Sequence, residues 1–254
     1  MNLGYACINM TLSSQKPKVT TNRSMIKRTF EEKGIDYAGE LGLQNSADLI
    51  KILKWNKENN VKVFRLSSEF FPWASEYKFK DLPQYLRIKT LLAGCGHYAQ
   101  RNGIRLTCHP GPFNVLTSPH EHVVQNTLTD LRIHGEIFDM MGLERTPYNK
   151  INIHCNGVYG DKQSAMDRFC KNFERLPESV QTRLTVENDD KASMYSVKDL
   201  MYIHERIGIP IVFDYHHHKF CTGDLTEQEA LELAISTWPK NIKPIVHYSE
   251  SKAL

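Results

Sequence analysis

The sequence predicts an α/β fold of the TIM-type (β/α) barrel class, with seven βα strands identifiable in a single domain, 1–254, and the eighth strand missing. Short apolar runs alternate with helical patterns along the chain, which is typical of a parallel α/β fold. The runs are continuous rather than strictly alternating, as expected for strands covered on both faces. No Pro- or Gly-rich linker divides the 254 residues, a length that one α/β barrel commonly fills.

Seven apolar runs are strand candidates, and no Gly-x-Gly-x-x-Gly motif follows the first of them, which disfavours an open dinucleotide-binding sheet. They are Leu3–Asn9, Val61–Ser67, Ile104–His109, Lys150–Cys155, Arg183–Glu187, Pro210–Tyr215 and Pro244–Tyr248. An eight-stranded barrel needs a further strand after Tyr248, and six residues follow it. We therefore expect an unpaired edge on the first and the last strand, through which an otherwise monomeric protein can associate.

Helical patterns fill the gaps between the strand candidates. They cover Ala47–Asn59, Gln84–Asn102, Lys162–Arg175 and Val197–Ile207. Two more helices are predicted from capping motifs, Ser118-Pro119-His120-Glu121 and Thr226-Glu227-Gln228-Glu229. Glycines stand where helices are expected to end, at positions 103, 142 and 208.

Composition excludes several classes of protein. No apolar run approaches the roughly 18 residues of a membrane span, and the N-terminus lacks the basic and apolar regions of a signal peptide. The six cysteines include no Cys-x-x-Cys pair, which excludes a zinc ribbon or a thioredoxin-like motif. We expect a soluble intracellular protein with reduced thiols and no membrane partner.

Ionisable side chains end five consecutive strand candidates. Strands three to seven end in His109, His154, Glu187, Asp214 and His247. In a barrel these ends meet at one rim, where active sites lie. Each residue alone is explained as a satisfied polar side chain or a helix cap, but core packing does not explain five of them in succession. Imidazole and carboxylate together suit Zn, Mn or Fe.

A carboxylate central in this series can bridge two ions, with histidines completing each ion's ligands. Ions about 3.5–4 Å apart form the clamp that is used in phosphodiester hydrolysis. Histidines within helical patterns, at positions 97, 134 and 204, are assigned structural roles. His120 and His122 lie in a predicted first helical turn and are expected at the surface.

Eight motifs, in their order and spacing, resemble those of the UV damage endonucleases. They are Leu3-Gly4-Tyr5-Ala6-Cys7-Ile8-Asn9, Thr21-Asn22-Arg23, Phe64-Arg65-Leu66-Ser67-Ser68, Phe71-Pro72-Trp73-Ala74-Ser75, His109-Pro110-Gly111, Glu187-Asn188-Asp189, Phe213-Asp214-Tyr215-His216-His217-His218 and His247-Tyr248-Ser249. No single motif is decisive, but together they run from Leu3 to about Glu250.

The resemblance implies a TIM barrel related to endonuclease IV that binds up to three divalent ions, often manganese, with zinc or magnesium as alternatives. It implies damaged double-stranded DNA as the partner and incision immediately 5′ of pyrimidine dimers, 6-4 photoproducts and abasic sites. The products would carry a 3′-hydroxyl and a 5′-phosphate. Such an enzyme is expected in the cytoplasm or nucleus, wherever DNA is.

The resemblance also implies roles for individual residues. His109, His154 and Glu187 would hold one ion, while Glu187, Asp214 and His247 would contribute to a second. His217, the third residue after Asp214, would serve the third ion. Among these ligands, Glu187, His109 and Asp214 are the predicted catalytic residues. Tyr5, Asn9 and Arg65 fall at family positions for binding DNA and the lesion.

Three departures from the family pattern change these expectations. Pro112 and Phe113 stand where the family has a lesion-probing Gln and an aromatic residue, so Phe113 is predicted to be a wedge; the alternative is a ring buried beneath the loop. Ile245 replaces a lysine that is modified in some members. The family's last His and metal-binding Glu are absent before Leu254, so we expect one or two ions instead of three.

Two other functions remain open on sequence grounds. A sugar isomerase or epimerase on the same barrel also uses Glu, Asp and His around a divalent ion, but has no need for Arg65 to Ser68 or an aromatic such as Phe113 at the rim. A catalytically impaired, truncated DNA-binding relative is the non-enzymatic alternative.

Overall fold

A computed structural model of the chain describes residues 2–249. The chain divides into two compact units, of which unit 1 comprises Met1–His109 and Ile133–Glu144. Unit 2 comprises Pro110–Arg132 and Arg145–Leu254. The single domain expected from the sequence stays a prediction.

Each strand candidate contains a strand of the structure, and every observed strand is shorter than its apolar run. The strands are β1 (Gly4–Ala6), β2 (Val63–Leu66), β3 (Arg105–Cys108), β4 (Ile151–His154), β5 (Leu184–Glu187), β6 (Ile211–Asp214) and β7 (Val246–His247). The predicted α/β class with seven parallel strands is confirmed.

Nine α-helices lie among the described residues. They are α1 (Met10–Ser13), α2 (Lys27–Glu58), α3 (Tyr85–Arg101), α4 (Glu121–Met140), α5 (Lys162–Phe173), α6 (Glu178–Gln181), α7 (Val197–Ile207), α8 (Tyr215–His218) and α9 (Glu227–Ser236). Single 3-10 turns occupy Ala74–Glu76, Phe79–Asp81 and Pro147–Asn149. Within residues 2–249, no helix combines the length and apolarity that a bilayer crossing requires.

Unit 1 contains β1, β2 and β3 in parallel order, with Ala6 beside Arg65 and Arg65 beside Thr107. Helices α2 and α3 pack against each other in this unit. Its core is apolar and includes Phe64 and Leu106, both fully buried. This sheet aligns the carboxyl ends of its three strands.

Unit 2 contains β4, β5, β6 and β7, again all parallel. The register places His154 beside Glu187, and Asp214 beside His247. Parallel strands in this register bring their carboxyl ends to one edge of the sheet, so the polar residues that end them become neighbours. The site is built on this edge.

Two helix starts differ from the sequence prediction. Helix α2 begins at Lys27, twenty residues before the predicted start at Ala47. Helix α4 begins at Glu121 rather than Pro119, because the Ser118 hydroxyl accepts the amide of His120 in a turn that precedes the helix. The capping box at Thr226 is confirmed, with its side chain accepting the Glu229 amide.

Candidate metal centre

Glu187 lies at the centre of the polar cluster in unit 2. It ends β5 and is 1% exposed. Its Oε2 atom accepts a hydrogen bond from Asn152 Nδ2 and lies 2.9 Å from His247 Nδ1. Its Oε1 atom lies 3.5 Å from His217 Nδ1. The two carboxylate oxygens therefore face different partners.

Asp214 ends β6 and caps the short helix α8. Its Oδ1 atom accepts the amides of His216 and His217, at 2.8 and 2.9 Å. The Asn188 side chain clamps the Asp214 backbone, accepting its amide at 2.8 Å and donating to its carbonyl at 3.1 Å. Burial, with a further contribution from the negative charge of Glu187, raises the pKa of Asp214. The cap holds the carboxylate in one orientation.

His217 on α8 joins the two carboxylates. Its Nδ1 atom lies 2.9 Å from the carbonyl oxygen of Asn188. Ligand atoms of Glu187, Asp214 and His217 all lie within 4.8 Å of one another. The neighbouring His216 and His218 pack instead against the rings of Phe220 and Phe213. Of the three consecutive histidines, the structure thus brings His217 to the carboxylates.

His154, at the end of β4, is oriented by an acidic neighbour. Its Nδ1 atom lies 3.2 Å from Asp189 Oδ1, and its ring centroid lies 5.3 Å from that of His217. Burial lowers the pKa of His154, but the Asp189 carboxylate, with help from Glu187, outweighs this effect and raises it overall. A carboxylate on one imidazole nitrogen is a common way to orient a metal-binding histidine.

His247, on β7, contacts one acidic and one basic side chain. Its Nδ1 atom faces Glu187, and its Nε2 atom lies 3.2 Å from the Nζ atom of Lys150. Lys150 precedes β4 and is fully buried. The lysine, the imidazole and the carboxylate form a continuous line of contacts.

Sequence reasoning missed Lys150, Asn152 and the orienting role of Asp189. A usable signal exists, since Lys150, Asn152 and His154 occupy alternate positions and so share one face of an extended segment. Asn152 is fully buried, and its Oδ1 atom accepts a 2.7 Å hydrogen bond from Thr185. Because Lys150–Cys155 was interpreted as a continuous apolar strand, the polar residues at its alternate positions were overlooked.

The predicted residues of unit 1 lie within its strands or shortly after them. His109 directly follows β3 and is half-buried. Asn9 Nδ2 donates to the Tyr5 hydroxyl at 2.8 Å, and that hydroxyl donates to Asn56 Oδ1 at 2.7 Å. Arg65 lies within β2 and is half-buried. Their assigned roles, and that of His109 as a ligand, stay predictions.

The loop after β3 presents an aromatic ring to solvent. Phe113 is 87% exposed, so the alternative of a ring packed beneath the loop is wrong. The neighbouring Asn114 is buried, and its Nδ2 atom donates to Gly111 O at 3.0 Å and to Asp130 Oδ2 at 2.7 Å. Asn156 Nδ2 donates to the carbonyl of Asn114 at 2.9 Å. The base of the loop is thus fixed while the ring projects.

The donor set in unit 2 fits a divalent cation. Glu187 and Asp214 are both buried. Burial raises the pKa of Asp214, and the negative charge of Glu187 raises it further. Two neighbouring buried carboxylates favour a cation between them. Carboxylate and imidazole ligands together are compatible with Mn²⁺ and Zn²⁺.

Comparisons with known proteins identify relatives over the whole chain. The UV-endonuclease UvdE family matches residues 1–253. The UV-damage endonuclease of Schizosaccharomyces pombe is 37% identical over 98% of this chain and 42% of its own length, so the chain spans less than half of that relative. The crystal structure of SacUVDE superposes with a TM-score of 0.87 at 32% identity, covering 100% of this chain and 82% of that one.

A more distant likeness concerns the fold alone. A D-psicose 3-epimerase from Clostridium cellulolyticum, solved with D-tagatose, has a TM-score of 0.54 at 12% identity and covers 74% of this chain and 64% of its own. Together with SacUVDE, it supports the TIM-type α/β class that the sequence predicted.

Proposed function

The chain belongs to the UV-endonuclease UvdE family, and from this premise we propose that it is a metal-dependent endonuclease for UV-damaged DNA. The observation that carries the proposal is the group of Glu187, Asp214 and His217, whose ligand atoms lie within 4.8 Å of one another. Two carboxylates and an imidazole at the carboxyl ends of parallel strands suit the divalent ions that phosphodiester hydrolysis uses.

Glu187, Asp214 and His217 would hold a divalent ion, for which we propose manganese, and His154 is a further candidate ligand. A bound divalent ion supplies positive charge that polarises a phosphate and makes a coordinated water more acidic. Asp214 Oδ1 is engaged by two helix amides, which directs Oδ2 to a ligand. A proton on His217 Nδ1 donates to Asn188 O, so the lone pair lies on Nε2.

The substrate in this proposal is double-stranded DNA that contains a photoproduct or an abasic site. Phe113 supports this choice because an exposed ring on a fixed loop can stack in the gap of a distorted base step. Tyr5, Asn9, Arg65 and Pro112 are proposed to contact the damaged strand. The cut would lie immediately 5′ of the lesion and leave a 3′-hydroxyl and a 5′-phosphate. The protein would act in the cytoplasm or nucleus.

Nicking of supercoiled plasmid tests the proposal. Irradiated and unirradiated plasmid are incubated with the metal-free chain, with and without Mn²⁺, and with excess chelator. We expect relaxation of irradiated plasmid that requires Mn²⁺. Binding of irradiated plasmid without any nicking would support the impaired DNA-binding relative. Turnover of a ketose without nicking would support a sugar epimerase, for which the likeness at 12% identity supplies the fold alone.

A further inference from the structure

The loop between β4 and α5 carries an exposed tyrosine on a constrained backbone. Tyr159 is 45% exposed and has a φ of 52°, and Asn156 in the same loop has a φ of 61°. Non-glycine residues are uncommon in this left-handed region, and a bulky aromatic there is an outlier. Such conformations cluster at active sites and ligand clamps. Because the loop follows the carboxyl end of β4, it lies at the same edge of the unit 2 sheet as Glu187 and Asp214.

Contacts within unit 2 hold the Tyr159 ring in one orientation. The guanidinium carbon of Arg168 lies 5.7 Å from the ring centroid, which is a cation–π contact. The His120 imidazole packs against the ring at 77°, with the centroids 6.3 Å apart. The ring also lies directly over Gly157, where a Cβ atom would come within 2.5 Å of it. A side chain at position 157 would displace the ring, so the close approach requires this glycine.

The loop of Tyr159 is bonded to the loop of Phe113. Asn156 Nδ2 donates to the carbonyl of Asn114, the residue after Phe113, at 2.9 Å. Asn114 Nδ2 in turn donates to the carbonyl of Gly111 at 3.0 Å. The two exposed rings therefore stand on loops that are joined directly to each other.

The two rings differ in what they expose. Phe113 is 87% exposed, whereas Tyr159 is 45% exposed and would have to leave Gly157 and Arg168 to enter a base stack. Within residues 2–249, the Tyr159 hydroxyl has no hydrogen-bond partner. A phenolic hydroxyl can donate to a phosphate oxygen, and tyrosine is one of the residues that contact phosphates in protein–DNA interfaces.

We propose that Tyr159 is a phosphate-binding residue, whose hydroxyl donates to the backbone of the duplex and thereby sets where Phe113 meets it. The inference rests on the proposed function, since it takes damaged duplex DNA as the ligand. Phosphate contacts fix the register of a protein on DNA but carry no sequence information. Tyr159 should accordingly support binding with or without a lesion, while Phe113 acts at the distorted step.

Equilibrium binding of end-labelled duplexes in excess chelator tests the proposal without any cutting. Tyr159→Phe removes the hydroxyl but keeps the ring over Gly157, so the loop should retain its structure. We expect about tenfold weaker binding to irradiated and undamaged duplex alike, which is the effect of one hydrogen bond to a charged group. The dependence of affinity on salt should keep its slope, because a neutral phenol releases no counterion.

Tyr148→Phe is the matched control. Tyr148 is 37% exposed and precedes β4, so it lies at the opposite end of that strand from Tyr159, and its variant should bind like the wild type. Wild-type affinity of Tyr159→Phe would overturn the proposal, even if Tyr159→Ala binds weakly, because the ring would then only support the loop. A loss confined to irradiated duplex would overturn it as well.

Interference by ethylated phosphates locates the contact on the DNA. We expect one phosphate that interferes with wild-type binding to stop interfering in Tyr159→Phe and to remain in Tyr148→Phe. An unchanged pattern would refute a direct contact, because a structural effect weakens binding without releasing a particular phosphate.

Binding and nicking are measured separately, so the two proposals fail separately. A chain that binds duplex through Tyr159 but never nicks irradiated plasmid would refute the proposed function alone. A chain that nicks irradiated plasmid while Tyr159→Phe binds like the wild type would refute the phosphate contact alone.

Discussion

Glu187 combines near-complete burial with contacts to the rings of two histidines, His217 at 3.5 Å and His247 at 2.9 Å. Glu187→Gln keeps the shape of the side chain but removes the negative charge that a divalent ion needs. Loss of an orienting partner alone costs about 10–100-fold in metal affinity, so loss of the ligand should lower nicking by more than about 100-fold. Duplex binding should remain, because phosphate contacts supply most DNA affinity.

Plasmid nicking and a binding assay on the same preparations check this expectation. Glu205→Gln, an exposed carboxylate on α7, is the control and should nick like the wild type. Wild-type incision by Glu187→Gln in excess Mn²⁺ would show that Glu187 is not a ligand.

Phe113 is an aromatic residue whose exposure to solvent suggests a function. Base–aromatic stacking contributes roughly 1–3 kcal/mol, so Phe113→Ala should weaken binding to irradiated duplex about 5–150-fold. Binding to undamaged duplex should change little, because a regular step offers no gap to fill. Leu86→Ala, which truncates an apolar side chain on α3 that is 74% exposed, is the control. Equal losses on both duplexes would argue against a wedge.

Among the site residues, the sequence analysis identified those that are ionisable and directly end an apolar strand candidate. Glu187 and Asp214 follow apolar runs, so their carboxylates stand out in the sequence. Lys150 and Asn152 did not stand out, because their importance depends on which neighbouring strands they face. The register of the strands determines which residues on neighbouring strands lie side by side, and register is established only in the folded sheet.

At the scale of elements, Asp48 ties the segment before α2 to that helix. Its Oδ2 atom accepts from Arg23 Nη2 at 2.6 Å and from the Thr20 amide at 3.1 Å, and its Oδ1 atom accepts from Lys51 at 2.8 Å. Burial raises the pKa of Asp48, but the hydrogen bonds from Lys51, Arg23 and the Thr20 amide outweigh it and lower the pKa overall.

We expect Asp48→Asn to lower the free energy of unfolding by about 1–3 kcal/mol at neutral pH. A carboxyl whose pKa is lowered by folding stabilises the protein above its unfolded-state pKa, and this stabilisation disappears as pH falls through the folded-state pKa. The difference from the wild type should therefore shrink below about pH 4. Urea unfolding across this pH range is the measurement.

The control for this prediction lies on the same helix. Glu31 is exposed and lies 3.7 Å from Lys27, so Glu31→Gln should change stability by less than about 1 kcal/mol. A destabilisation of Asp48→Asn that stays constant from pH 7 to acid would contradict the assigned role.

Two helices show where local sequence is sufficient to predict the helix boundaries and where it is not. Helix α7 runs from Val197 to Ile207 as predicted, because Ser196 forms a capping box and Gly208, at φ 71°, ends it. The first part of α2 was missed, since glycines there lower helix propensity. A Cβ on Gly42 would lie 2.5 Å from the ring of Phe71, so tertiary packing explains this glycine.

For the molecule as a whole, a metal-binding site should couple to stability. A ligand present at 100 times its dissociation constant stabilises the native state by about 2.7 kcal/mol. For a chain of this length, that corresponds to a rise in Tm of about 5–10 °C. We expect Mn²⁺ to produce such a rise in a thermal unfolding scan and chelator to reverse it. Glu187→Gln should lose most of the rise, and an equal rise in both proteins would place the ion elsewhere.

The most direct test of the central claim, that the unit 2 cluster cuts damaged DNA, is single-turnover incision of an end-labelled duplex with one pyrimidine dimer. We expect Mn²⁺-dependent cleavage at the phosphodiester immediately 5′ of the dimer, with 3′-hydroxyl and 5′-phosphate ends, and its loss in Glu187→Gln. Cleavage that persists in chelator or in Glu187→Gln, or no cleavage by a chain with Mn²⁺ bound, would contradict it.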